Sequence, residues 1–137
     1  MVETLAAGGS IANADLRGAD LSCLVFDGRD ATCAKFGDAN VAGASFRNAR
    51  LVGASFWQAN CAGACFDGAD LEDADFDHAF LDGVTLRNAR VRRTLFPTGR
   101  VGREAILSSV REGVPLRMDP RLSSEGGTAG SSPWSKD

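Results

Sequence analysis

Few side chains of this 137-residue chain have types and spacing that could do chemistry. The single histidine, His78, follows Asp75 and Asp77, and a histidine beside carboxylates is a residue set of general acid–base catalysis. Cys61 and Cys65 are four residues apart and could share a metal ion only if both thiols point to the same side. No Gly-rich phosphate loop or nucleophile elbow occurs. Either set forms a site only where the backbone gathers it in a concavity.

A five-residue repeat governs the backbone that carries these side chains. Every fifth residue from Ile11 to Phe96 is apolar, with weak centres at Ala31 and Cys61, and an alanine stands two positions earlier in thirteen of the eighteen units. A period of five fits neither the 3.6 period of a helix nor the alternation of a strand. Apolar positions two apart point the same way, so the rest of each unit must turn a corner. The last position is Gly, Asn or Asp in twelve units, which predicts a solenoid of short strands and turns.

The units Ala14 to Gly18 (ADLRG) and Ala69 to Asp73 (ADLED) resemble the A(D/N)LXX pattern of the pentapeptide-repeat family. The resemblance covers residues 9–98. It implies an all-β fold, a right-handed, four-sided parallel β-helix with twenty residues per coil. This chain would hold about 18 units. The fold by itself implies no one activity.

Charge pairing supports four sides independently, because stacked residues on neighbouring coils should avoid like charges. A spacing of twenty produces nine opposite pairs and no like pair, whereas a spacing of fifteen produces three like pairs alongside four opposite ones. The nine pairs are Asp15/Lys35, Asp27/Arg47, Asp30/Arg50, Arg47/Asp67, Arg50/Asp70, Asp67/Arg87, Asp70/Arg90, Glu72/Arg92 and Asp73/Arg93. They predict charge ladders that fix the register.

In this register phenylalanines face phenylalanines across a filled interior. One face carries Leu16, Phe36, Phe56, Phe76 and Phe96, and the opposite face carries Phe26, Phe46, Phe66 and Leu86. The one unit with a charged residue at the alanine position has Arg29 beside the small Ala31. Its stem could run through the space at Ala31, or the backbone could bulge and turn it outward.

The register also places the chemical candidates. His78 falls at a corner of a convex surface with Asp75 and Asp77 facing solvent, and Cys61 points inward while Cys65 points outward. Cys23 and Cys33 lie on opposite faces. We therefore predict a protein that is not an enzyme and has no catalytic residue, metal site or cofactor.

The pattern divides the chain into four segments. Residues 1–8 form a lead-in, 9–98 the β-helix, 99–118 a capping or dimerisation segment, and 119–137 a tail predicted to be disordered because Ser, Gly and Pro dominate it. Ile106, Leu107 and Val110 supply the apolar residues of a short helix over 102–113, with Gly113 as its C-terminal cap. This helix either covers the open last coil or joins two chains into a homodimer through their ends.

The net charge of −3, the lack of a membrane-spanning apolar stretch and a first decapeptide without a basic signal-peptide start predict a cytoplasmic bacterial protein with no membrane partner.

An acidic band stands out in the charge distribution. It consists of Asp67, Asp70, Glu72, Asp73, Asp75, Asp77 and Asp82, with no basic residue between them. Some proteins of the family that this chain resembles protect DNA gyrase from quinolones by presenting an acidic rod to its DNA groove. A DNA segment as long as this rod, roughly 22 Å, would carry about 13 charges. The repeat carries twelve acidic and nine basic residues, so its net charge of −3 is much smaller than that of the DNA segment. A DNA mimic that binds gyrase or another topoisomerase is therefore the alternative interpretation.

Apolar residues on outward positions favour a different function. Trp57 and Phe80 fall on either side of one corner on adjacent coils, with Asn60 between them. Two exposed aromatics together are typical of a protein contact. The preferred hypothesis is a non-enzymatic scaffold or interaction module that binds another protein and does not bind nucleic acid directly.

Overall fold

The repeat folds into a solenoid whose coil takes twenty residues. A computed structural model describes residues 9–97 and 99–118. Thirteen isolated parallel β-bridges join residues twenty positions apart, from Asp15↔Lys35 at one end to Asp75↔Leu95 at the other. Each strand is thus a single bridging residue, and four bridging residues occupy each coil. The chain is an all-β solenoid.

A tight turn separates each bridging residue from the next. The Ala39 amide donates to the Phe36 carbonyl at 3.0 Å, and the same bond recurs in every unit from Ile11 to Val91. The last residue of all seventeen units from Asn13 to Arg93 has a positive φ, between 56° and 86°. Ten of these residues are not glycine. A turn with positive φ at its third residue therefore forms every corner, which explains the Gly, Asn and Asp preference there.

Side chains of the bridging residues support the turns. Carboxylate, amide or hydroxyl oxygens at this position accept the backbone N–H two residues later, for example Asp30 Oδ1 from Thr32 at 3.0 Å and Asp75 Oδ1 from Asp77 at 2.8 Å. The bond occurs at the bridging residues Asp15, Asp20, Asp30, Asn40, Ser55, Asn60, Asp70 and Asp75, and also at Ser10, which precedes the first bridge. It satisfies an N–H that the turn leaves without a backbone partner. An Asp or Asn at the bridging position is therefore a turn-supporting residue.

Phenylalanine rings fill the interior as the register predicts. Rings one coil apart stack at centroid distances of 4.7–5.8 Å, with planes within 7° of parallel. Rings from the two opposite faces meet edge to face at 5.3–6.2 Å. Both arrangements suit the quadrupoles of aromatic rings. Alanines at the second inward position are buried from Ala34 to Ala79, which leaves room for the rings.

The first coil departs from this order at two inward positions. Leu24 is exposed, and Arg29 is half-buried. The Arg29 amide keeps the turn bond to Phe26, and its carbonyl accepts the Arg50 amide at 2.9 Å. The backbone is therefore in register, and the bulge considered for Arg29 does not form.

A single helix of the described residues, α1, spans Arg103–Glu112, and Gly113 ends it in the left-handed conformation with φ 77°. Ile106 is fully buried, while Leu107 and Val110 are half-buried. The last coil donates to this segment from Leu86 to Ser109 Oγ at 2.9 Å and from Asn88 to the Val110 carbonyl at 2.8 Å. The segment 113–118 adds a bond from Gly83 to Leu116 at 2.7 Å. The predicted tail and its Trp134, like the lead-in 1–8, lie outside the described residues.

Candidate interaction surfaces

The histidine and its two neighbouring aspartates lie on the outer surface of one coil. His78 lies at a corner with φ 63°, and its Nδ1 is 3.4 Å from Asp77 Oδ1. Asp75 accepts the Asp77 amide and so supports the turn. The sequence predicts a convex surface at His78, and the structure differs from that prediction. Pro97, Arg100 and Met118 lie beside the histidine and, with Asp77, His78 and Ala79, line a depression of about 260 Å³.

The four cysteines differ in burial. Cys61 is buried and Cys65 half-buried, and Cys23 and Cys33 are exposed. Burial raises the pKa of the Cys61 thiol above its ordinary value, so it stays protonated at neutral pH. Across residues 9–97 and 99–118, no group of three or more His, Cys, Asp and Glu side chains could hold a metal ion.

Every carboxylate of the acidic band has a polar partner within the chain. Asp67, Asp70, Asp75 and Asp82 accept backbone amides, from Arg87, Glu72, Asp77 and Met118 respectively. Asp73 binds the Arg93 guanidinium through two bonds, at 2.7 and 3.0 Å. Glu72 lies 3.5 Å from Arg92, and Asp77 lies beside His78. Six of the seven carboxylates thus have a backbone amide or an arginine of their own chain as partner.

The band also fails to form one acidic face. Its first and last members, Asp67 and Asp82, span sixteen of the twenty residues of one coil. The carboxylates are therefore distributed around the rod. A groove that receives DNA would meet only some of them.

Several carboxylates accept hydrogen bonds in the folded state, which predicts that the fold becomes less stable in acid. The Arg17 side chain lowers the pKa of Asp15 to about 2, and bonds from Thr32 and Arg93 lower the pKa of Asp30 and Asp73. These groups bind protons more weakly in the folded state than in the unfolded one, so they stabilise the fold above their unfolded pKa and this stabilisation is lost in acid. We therefore expect the urea concentration at the unfolding midpoint to decrease as the pH is lowered from about 4 to about 2. Denaturation by urea at several pH values measures it. D15N/D73N should show a smaller fall, and an unchanged wild-type midpoint would contradict the expectation.

The predicted charge ladders are only partly made. Of the nine opposite pairs, Glu72/Arg92 and Asp73/Arg93 form side-chain ion pairs within 4.0 Å in the described part of the chain. Asp15 instead pairs with Arg17 on its own coil at 2.7 Å. The twenty-residue register is correct, but bonds to backbone amides occupy most of the carboxylates.

The corner that carries Trp57 and Phe80 is exposed, as the sequence predicts. Trp57 is 40% exposed and Phe80 is 45% exposed, and Phe80 is bridged to Asn60 on the preceding coil. The residue that sequence reasoning missed is His78, whose ring centroid is 5.7 Å from that of Trp57. The twenty-residue register was the available signal, because it stacks residue 78 on residue 58. We call Trp57, Asn60, His78 and Phe80 the aromatic corner.

Other large apolar side chains are exposed near the two ends. Leu24 and Val25 belong to the first described coil, and Leu95 and Val114 lie at the C-terminal end. The aromatic corner is the only group of exposed large apolar side chains between these ends, within residues 9–97 and 99–118.

Solved structures with the same repeat resemble this one. The pentapeptide repeat protein alr5209 from Nostoc PCC 7120 is 34% identical, with a TM-score of 0.64 over 70% of this chain and 81% of that one. AT2G44920, a pentapeptide repeat protein of the Arabidopsis thaliana thylakoid lumen, is 31% identical, with a TM-score of 0.54 over 88% of each chain. Rfr23 from the cyanobacterium Cyanothece 51142 is 28% identical, with a TM-score of 0.53 over 63% of this chain and 55% of that one.

Sequence comparison leads to the same family. No curated protein matches the chain. The family described as pentapeptide repeats matches in eight copies, over residues 10–48, 32–60 and 54–93. These residues form the coils that carry the stacked rings and the aromatic corner. The chain belongs to the pentapeptide-repeat family.

Proposed function

We propose that this chain is a non-enzymatic interaction module that binds another protein through the aromatic corner. Its units form a right-handed, four-sided β-helix over residues 9–98, and residues 99–118 cap the last coil. The observation that carries the proposal is the pair Trp57 and Phe80, 40% and 45% exposed on adjacent coils in the middle of the rod. No neighbouring coil is missing there, so the end of the repeat does not explain their exposure.

The chemistry of the corner suits a protein partner. Two aromatic side chains present a large apolar area, and the Asn60 amide and the His78 ring lie beside them. Aromatic residues surrounded by polar ones are frequent hot spots of protein interfaces. The corner therefore offers an apolar anchor with hydrogen-bonding groups at its rim.

The DNA-mimic alternative receives less support. Glu72 and Asp73 of the acidic band lie beside arginines of their own chain, and the seven carboxylates are distributed around the rod. A mimic of DNA needs rows of unneutralised charge on the side that faces the partner.

Capture from a cell lysate by immobilised protein tests the proposal. We expect W57S/F80S to retain the fold and to capture at least about tenfold less partner than the wild type. Truncation of interface aromatics typically costs about 2 kcal/mol or more of binding free energy. Val25, 60% exposed in the first coil, supplies the matched control V25S, which should bind like the wild type. D73N/D75N should also bind normally. Loss of binding in D73N/D75N alone, or inhibition of gyrase supercoiling by the wild type at micromolar concentration, would favour the DNA mimic.

A further inference from the structure

The corner opposite the aromatic corner carries an alternating pattern of charge. Two columns flank it, one on each side of the turn. Their members are Asp27, Arg47, Asp67 and Arg87 in one column and Asp30, Arg50, Asp70 and Arg90 in the other. Bridges join Asp30, Arg50, Asp70 and Arg90 in succession. Each coil therefore presents two charges of one sign, and the sign changes from coil to coil. We call this surface the alternating face.

The arginines of the alternating face are available to a partner. Asp67 and Asp70 are used by the backbone amides of Arg87 and Glu72. Arg47, Arg50, Arg87 and Arg90 are all exposed, and in the described part of the chain none of them lies within 4.0 Å of a carboxylate. A shallow groove of about 450 Å³ runs along the second column, lined by residues that include Arg50, Gly68, Asp70 and Arg90.

We propose that the alternating face binds a second copy of this chain, with the two rods side by side and antiparallel. A two-fold axis in the interface, placed between the coils of Arg50 and Asp70, turns the face onto itself. Arg50 then meets the partner's Asp70, and Asp30 meets the partner's Arg90. The other column pairs in the same way, so all eight charged side chains face an opposite charge.

The residues between the columns fit the same operation. Gly28, Asn48, Gly68 and Asn88 alternate in size along the corner. The two-fold axis places Asn88 opposite the partner's Gly28, where nothing lies within 4 Å of the position that a Cβ would take. A large side chain therefore never meets another large one along the contact.

Other arrangements of two rods are disfavoured. A parallel pair would place the two columns opposite each other at the same level, so Asp27 would meet the partner's Asp30 and Arg47 the partner's Arg50. An antiparallel pair shifted by one coil would bring like charges together as well. Like charges at close range give specificity by excluding the wrong pairing. Only the unshifted antiparallel register therefore pairs all eight charges with their opposites.

The contact is small and electrostatic, which sets its strength. Four coils spaced about 4.8 Å apart extend over only about 14 Å, so the area per partner falls below the roughly 800 Å² of a standard interface. Self-association should therefore be weak and sensitive to salt. The aromatic corner lies ten residues away, half a coil, on the opposite side of the rod. A dimer of this kind would present two aromatic corners outward.

Sedimentation of the full chain at graded concentration tests the proposal. We expect dimers at about 100 µM protein in low salt and monomers at about 0.5 M salt, where screening removes the charge contacts. R50D and D70R should each weaken self-association at least about tenfold, because the two-fold axis makes each reversal act twice. Mixing R50D with D70R should restore pairing, since each reversed charge then meets its opposite. The variant R50D/D70R should dimerise like the wild type.

Each outcome decides the question. A wild type that is monomeric in low salt would overturn the proposal, as would R50D and D70R variants that associate normally. Failure of the mixture to pair, with both variants folded by circular dichroism, would exclude this antiparallel register. W57S/F80S should dimerise normally, so loss of partner capture and loss of self-association are distinguishable.

Discussion

Replacing Phe56 by alanine is expected to lower the free energy of unfolding by about 3–5 kcal/mol. Its ring stacks on Phe36 and Phe76 at 4.7 and 4.8 Å and meets Phe46 and Phe66 edge to face. The alanine would leave a cavity between four rings, and the coils cannot close it because their backbone bonds fix the spacing. Urea denaturation followed by circular dichroism measures the loss.

Phe26 provides the matched control for this prediction. It is also fully buried, but it is the N-terminal ring of the described stack and its ring contacts there are with Phe36 and Phe46 only. F26A should therefore destabilise less than F56A. A loss below about 1 kcal/mol for F56A would contradict the central position of this ring in the core.

The substitution I106D is expected to cause unfolding of α1 and aggregation. Ile106 is fully buried against the last coil of its own chain, and an unpaired carboxylate there would cost several kcal/mol. The last coil would also lose its partners for the Leu86 and Asn88 amides. Sedimentation and urea denaturation of the variant would show aggregates or a strongly lowered midpoint.

This substitution separates the two roles proposed for α1. A capping helix buries Ile106 within one chain, whereas a joining helix would bury it against a second chain. V110S, at a half-buried position, should have a smaller effect and serves as the control. A soluble, folded I106D monomer with wild-type stability would show that α1 joins chains.

The coils were predictable because the repeat encodes each position separately. The apolar centre, the small residue before it and the corner residue each have one structural role in the unit. Eighteen repetitions of these roles are compatible with one fold. The hydrogen bonds that Asp and Asn oxygens accept from the turn amides were missed, although the A(D/N)LXX pattern carries their signal. We interpreted the Asp side chains as surface charges, whereas the 3.0 Å hydrogen bond from the Thr32 amide to Asp30 Oδ1 shows that the backbone uses them.

Regions outside the repeat could not be derived in the same way. The sequence predicts a helix near Ile106 but contains no register that places Ser109 under Leu86 or Arg100 and Met118 beside His78. Those contacts depend on how the segment after the repeat packs on the last coil, and no periodicity in the sequence encodes that packing. The His78 contribution to the aromatic corner was within reach, since the twenty-residue coil places it next to Trp57.

Amide hydrogen exchange of the chain with and without its captured partner tests the central claim most directly. We expect added protection at residues 57–61 and 77–81, where the aromatic corner lies, and unchanged exchange in the first coil. Protection confined to residues 67–75 of the acidic band, or to α1, would contradict binding through the aromatic corner.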